Sequence, residues 1–157
     1  EITAEVGVDV LSFGGTKNGL LMGEAVVFFK QVLADDFEYK RMQGMQLSSK
    51  MRFIAAQYSA LLSNDLWKKN AEHANRMAKM LSQGMCGLPG VSITQKVQSN
   101  SVFAIFPAEV IPKVQKHFGF HVWNKSLHEV RLVTSFDTEE SEVRKFCAAV
   151  AEAVGSR

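Results

Sequence analysis

Two apolar runs flank a glycine-rich loop at the start of the chain. Val8-Asp9-Val10-Leu11-Ser12-Phe13 is stopped by Gly14-Gly15, and the second run covers residues 20–29. Apolar runs without clean alternation suit strands covered on both faces, so the pattern predicts a strand, loop, strand unit inside an α/β layer. No further strand is expected nearby to pair with either one, which makes them the torn edge of a larger sheet. From Lys30 the period changes, and Val32, Leu33, Phe37, Met42 and Met45 predict a helix that loosens at Gly44. Met51, Ile54, Ala55, Tyr58, Leu61 and Leu62 predict a second helix over residues 48–62. A third, long and amphipathic, follows Asn64-Asp65 as its N-cap and runs through Trp67, Ala74, Met77, Ala78 and Leu81 to Gly84.

After the breaker cluster Cys86-Gly87-Leu88-Pro89-Gly90 the elements shorten. Strands are predicted at residues 91–95 and 101–106, then a helix at 108–118 that tolerates Pro112 because it falls in the first turn. Strands at 120–123 and 129–134 follow. The last helix should start at Asp137 or Thr138, with Glu140 closing a capping box on Asp137. The order β-β-α-β-β-α implies a small α+β unit of antiparallel sheet with helices on one face. Residues 1–62 are therefore expected to be the end of one α/β domain with its connecting helices, and residues 63–157 a small carboxy-terminal α+β domain.

Composition removes several function classes. The 157 residues are 46% hydrophobic and 22% charged, a balance suited to a packed fold. The net charge of +2, with basic residues scattered among acids, gives no electrostatic case for nucleic acid. The run from Gly19 is interrupted by Glu24 and falls short of the roughly 20 residues that span a bilayer, so no membrane segment is expected. Cys86 and Cys147 lack metal-type spacing and fit a reducing, cytoplasmic compartment. Glu1-Ile2-Thr3 carries no initiator Met and no signal core, and the chain is expected to begin inside a longer protein.

Lys17 sits in Gly14-Gly15-Thr16-Lys17-Asn18-Gly19. The residues alone leave two readings open: glycines making a turn with a solvated lysine, or a lysine amine desolvated enough to attack a carbonyl. A phosphate loop is excluded by spacing, because Lys17 is followed by Asn18 and not by Ser or Thr.

The stretch from Asp9 through Ser12-Phe13-Gly14-Gly15-Thr16-Lys17-Asn18-Gly19 resembles the cofactor-lysine segment of the low-specificity L-threonine aldolases and related β-eliminating lyases, fold-type I enzymes that use pyridoxal 5'-phosphate (PLP). The resemblance implies a PLP-transferase-like large domain. It makes Lys17 the residue that holds PLP as a Schiff base and then moves protons, with Ser12 and Thr16 as further cofactor contacts. Glu129-Val130-Arg131-Leu132-Val133-Thr134-Ser135 resembles a small-domain segment of the same family, in which the arginine binds the substrate α-carboxylate. A guanidinium can meet a carboxylate with two parallel N–H donors; the plainer reading pairs Arg131 with Glu129 or Glu109. The implied reaction cleaves L-threonine, or L-allo-threonine, to glycine and acetaldehyde. The family's PLP-stacking histidine and its aspartate on the pyridine nitrogen would lie before Glu1, so the chain alone is expected to be inactive. A homodimer or homotetramer is implied as well.

Other readings remain beside this one. The lysine segment marks the cofactor more firmly than the reaction, so β-elimination or transamination stays open, as does a non-catalytic α/β interaction domain. Arg41, Lys50 and Arg52 could face the site or solvent. Asn100 is expected to be structural. His117 and His121 have a zinc-like spacing, but Gly119 between them spoils a common face. Met42, Met45, Met51, Met77 and Met80 fall at helical core positions, and Trp67 and Trp123 are expected in a core or interface.

Overall fold

The computed structural model describes residues 2–155, and these divide into two compact units that part between Trp67 and Lys68. Glu1, at the outer end of the first expected domain, and Ser156 and Arg157, at the end of the second, lie outside the described residues.

In the first unit, strands β1 (Val10–Gly14) and β2 (Glu24–Phe28) pair antiparallel, with Val10 opposite Phe28 and Gly14 opposite Glu24. This corrects the expectation that the two strands have no partner: they are each other's partner. A second correction concerns where β2 begins. Gly19 and Gly23 take φ of 112° and 147°, a region open to glycine and strained for other residues. The chain therefore turns through residues 19–23 before it extends. Asp9 and Lys30 close the open end of the ribbon through an ion pair of 2.5 Å, beside a Phe29 N–H to Asp9 C=O bond of 3.0 Å.

The single helix expected from Lys30 is two pieces, a 3₁₀ turn at Gln31–Leu33 and helix α1 at Phe37–Gln43. Asp36 between them has φ 59°, and a left-handed residue cannot continue a right-handed helix. Met42 and Met45 are consequently exposed and not in a core. Helix α2 (Met51–Leu62) keeps the expected pattern but starts three residues later, and buries Leu61.

Helix α3 (Leu66–Met85) follows a 3₁₀ turn at Ser63–Asp65 and leads into the second unit, where its apolar stripe of Ala74, Met77, Ala78, Leu81 and Met85 is buried. The remaining elements are β3 (Ser92–Ile93), β4 (Ser101–Ile105), α4 (Val110–Gln115), β5 (His121–Asn124), β6 (Glu129–Val133) and α5 (Glu140–Gly155). This is the β-β-α-β-β-α order read from the sequence. The strands form one antiparallel sheet in the order β3-β4-β6-β5. Pro112 is the third residue of α4, inside its first turn as required.

Alternation in β4 and β6 decides the core. Val102, Ala104, Val130 and Leu132 point inward against Met77, Val110, Val143 and Val150 of the helices, while Ser101, Phe103, Glu129 and Arg131 alternate with them. At the end of β6, Thr134 is buried, and its hydroxyl donates to the Ala74 carbonyl at 2.7 Å. Asn100 has the structural role expected of it, donating from Nδ2 to the Thr134 carbonyl at 2.7 Å while its own carbonyl accepts the Thr134 N–H at 3.0 Å. The capping box of α5 is displaced from the expected pair. The Glu139 N–H donates to Glu142 Oε2 at 2.9 Å, so Glu142 and not Glu140 reaches back; Thr138 instead accepts the Ser135 N–H at 2.9 Å. Trp123 is exposed and Trp67 is exposed, so neither belongs to a core of these units.

Helices α3 and α5 approach closely where Gly84 faces Cys147. A Cβ built at Gly84 would lie 2.6 Å from Cys147 Sγ and 3.4 Å from its Cβ. Overpacking of this kind costs about 1–3 kcal/mol, against about 1 kcal/mol gained from the better helix propensity of alanine. Gly84→Ala should therefore lower stability in chemical denaturation, and adding Cys147→Ala should restore it. Equal stability of Gly84→Ala and the parent protein would show that the contact relaxes freely.

Candidate functional site

Lys17 lies in a 3₁₀ turn, Thr16–Asn18, between β1 and β2. Three glycines shape the turn and one leucine fills it. The Gly15 carbonyl accepts the N–H groups of Asn18 at 3.0 Å and Leu20 at 3.1 Å, and a Cβ at Gly15 would fall 2.1 Å from Leu20 Cδ1. The loop can fold over the buried Leu20 side chain only because residue 15 has no side chain. Lys17 itself projects outward and is exposed, as are Thr16 and Ser12.

Helix α2 clamps both ends of this loop from adjacent positions. The Tyr58 hydroxyl donates to the Phe13 carbonyl at 2.8 Å, and Gln57 Oε1 accepts the Leu21 N–H at 2.9 Å. Asn18 Nδ2 adds a third tie, to the Trp67 carbonyl at 3.0 Å. Gly23 lets the helix come this near, since its Cβ would meet Tyr58 at 3.0 Å and Ile54 at 3.1 Å. Burial, and secondarily the Glu24 charge, raise the Tyr58 phenol above the ordinary tyrosine range. The hydroxyl is thereby kept protonated and able to donate. Gln57 and Tyr58 were visible in the sequence only as helix positions. Tyrosine in an apolar stripe is the signal, because its hydroxyl needs a partner when covered.

Ser12 donates to Glu24 Oε1 at 2.6 Å across the ribbon, so its one hydroxyl proton is committed and it is left as an acceptor. Thr16 and Glu24 border an open cleft of about 1300 Å³ within the first unit, together with Phe37, Arg41, Met51 and Tyr58. Arg41 is half-buried and its Nε lacks an acceptor. Lys50 precedes α2 on the surface, and Arg52 lies over the Phe53 ring at 5.0 Å.

Arg131 belongs to the second unit, in the middle of β6. Phe103 of β4 and His121 of β5 stand directly opposite it. Its guanidinium carbon lies 5.9 Å from the Phe103 ring centroid and 5.6 Å from that of Trp123, and Nη2 is 3.4 Å from Ser101 Oγ. The ion pair with Glu129 considered from sequence is replaced by another contact: Glu129 Oε1 accepts the Thr94 hydroxyl at 2.6 Å. Arg131 Nε is buried without an acceptor. A half-buried guanidinium beside two aromatic rings, with one long hydrogen bond to Ser101, is suited to an external carboxylate.

No protein-family model matches the chain. It is 40% identical over 151 residues to a low specificity L-threonine aldolase from a Pseudomonas species, covering 96% of this chain and 43% of that protein. A low specificity L-threonine aldolase from Pseudomonas aeruginosa is 38% identical over 157 residues, 99% of this chain and 45% of that one. The chain thus spans less than half the length of these curated relatives. Among solved structures, the threonine aldolase of Leishmania major superposes with a TM-score of 0.86 at 26% identity, over 94% of this chain and 44% of that one. A glycine decarboxylase (P-protein) of the glycine cleavage system, at 15% identity and TM-score 0.54 over 92% of this chain and 34% of that one, shares the fold alone. The α/β architecture read from the sequence stands.

The clamp on the lysine loop can be tested directly. Tyr58→Phe should speed hydrogen exchange of the Asn18 and Leu20 amides and leave exchange in β4 and β6 unchanged. The parent should also lose loop protection in alkali. A tyrosine whose folded pKa is raised contributes stability that is complete below the unfolded value, about 10, and lost as pH rises through the folded one. Tyr58→Phe should not show that alkaline loss.

Proposed function

We propose that this chain, similar along nearly its whole length to low specificity L-threonine aldolases, is the carboxy-terminal part of a PLP-dependent enzyme that cleaves L-threonine or L-allo-threonine to glycine and acetaldehyde. The observation that carries the proposal is the Ser12–Gly19 stretch, placed on a turn that three hydrogen bonds fix and that projects one amine outward. The residues fit the cofactor by their chemistry. An aldehyde needs a primary amine that no carboxylate occupies, and among the described residues none pairs with Lys17.

When bound, PLP supplies an electron sink for the bond broken at the substrate Cα. Lys17 Nζ would hold it covalently, and its free amine would accept or return a proton near Cα. Gln57 and Tyr58 keep the lysine turn in place through its backbone. Thr16 keeps its hydroxyl free for the cofactor, whereas Ser12 can take part only by accepting or by releasing Glu24. Arg131 would hold the substrate carboxylate and so orient the amino acid. A cytoplasmic homodimer or homotetramer acting on a free amino acid completes the proposal.

In the full-length protein, Lys17→Ala should abolish the visible absorbance of lysine-bound PLP and lower acetaldehyde release from threonine by about 10²–10⁴-fold. The 157-residue chain mixed with PLP should show no such band. Retained aldolase activity in Lys17→Ala would overturn the proposal, and pyruvate released from serine in place of acetaldehyde from threonine would move it to β-elimination.

A further inference from the structure

We infer that Trp123, with Phe103, is a positioning residue for Arg131: the two aromatic rings hold the guanidinium in the orientation from which it takes an amino-acid carboxylate. The inference rests on the reading of Arg131 as the carboxylate-binding residue and goes beyond it. Phe103 is fixed by register, because it faces Arg131 directly across the β4–β6 pair, where cross-strand neighbours are in contact. Trp123 reaches the same guanidinium from the other neighbouring strand, at a register shift. β5 and β6 pair at Val122 and Val130, and the next pair is Asn124 with Glu129, so Trp123 is the extra residue of a bulge. Val122 turns toward the core with Val130, so alternation along β5 puts Trp123 on the same face of the sheet as Arg131.

The three groups form one cluster. The Phe103 and Trp123 rings meet edge to face, 78° apart at 5.5 Å, and the guanidinium lies within about 6 Å of both centroids, the range of cation–π attraction. Trp123 nevertheless remains exposed, at 58%. A large indole left this open contributes little by burial, and its ring contacts are with Phe103 and the charged group. The Arg131 donors are meanwhile poorly satisfied, with Nη2 to Ser101 Oγ at 3.4 Å and Nε buried without an acceptor. Nε is covered by the chain itself, so an incoming carboxylate would meet the guanidinium at its terminal nitrogens, where the bond to Ser101 is long and easily exchanged. The aromatic rings offer no hydrogen-bond acceptor, so they can orient the cation without consuming the donors the substrate needs.

The full-length holoenzyme supplies the test. Binding of glycine is compared with that of ethanolamine, which keeps the amine and lacks the carboxylate, from the change each makes in the cofactor spectrum. Threonine cleavage kinetics are taken alongside. Trp123→Leu should weaken glycine about 3- to 10-fold with ethanolamine within twofold, and should raise KM for threonine by a larger factor than it lowers kcat. Trp123→Phe, which keeps an aromatic face, should recover most of the loss. Arg131→Lys, run in parallel, should weaken glycine more than Trp123→Leu does. Equal weakening of both ligands by Trp123→Leu, or no weakening of glycine while Arg131→Lys weakens it, would overturn the positioning role and leave Arg131 intact. Unchanged glycine binding in Arg131→Lys would instead overturn the reading of Arg131 itself.

Discussion

The antiparallel pairing of β4 with β6 is the constraint on which the second unit turns. With Val102 opposite Leu132 and Ala104 opposite Val130, the pleat sends four apolar side chains toward α3, α4 and α5 and gives the intervening positions to Ser101, Phe103, Glu129 and Arg131. A slip of one residue would exchange the two sets. It would put a guanidinium into the core and valines outside, a change that costs far more than any single contact recovers. The burial of Val130 and Leu132 therefore fixes where Arg131 can be, and the packing that stabilises the unit also aims its guanidinium to the other face. Thr134 extends the arrangement, since its hydroxyl ties the end of β6 to α3 through the Ala74 carbonyl.

The first unit solves a similar problem with less burial. Its ribbon is short and its valines are largely exposed, so order around Lys17 comes from two hydrogen bonds between helix α2 and the loop backbone and from the Asn18 side chain, which donates to the Trp67 carbonyl. Each is worth only about 0.5–1.5 kcal/mol. Together they hold three points around one turn, which limits where the lysine side chain can start from. The exposed apolar surface fits a chain that spans less than half of its curated relatives.

The small α+β unit was largely legible in the sequence, because alternation at 101–106 and 129–134 and the apolar stripe of α3 are strong periodic signals that tertiary packing rarely overrides. The first sixty residues were read less well, for identifiable reasons. An apolar run at 20–29 gives no sign that Gly19 and Gly23 take positive φ and delay β2 until Glu24. A left-handed Asp36 likewise leaves no mark on the helical period around it. At the candidate site, Lys17 and Arg131 were found through the segments that carry them, whereas Gln57, Tyr58, Phe103 and Trp123 act through contacts distant in sequence. The Trp123 contact depends on which strand lies beside β6, and that pairing leaves no mark in the composition of either strand.

The turn that carries Lys17 packs against itself. Leu20 fills the space left open by Gly15, and the Gly15 carbonyl binds two amides a few residues along the chain. All of these contacts are local, so closing the turn costs little chain entropy and can occur within about 10–100 ns, long before strands such as β4 and β6 find each other. The lysine turn can thus acquire its shape early in folding, as a preformed piece onto which the slower, long-range elements assemble.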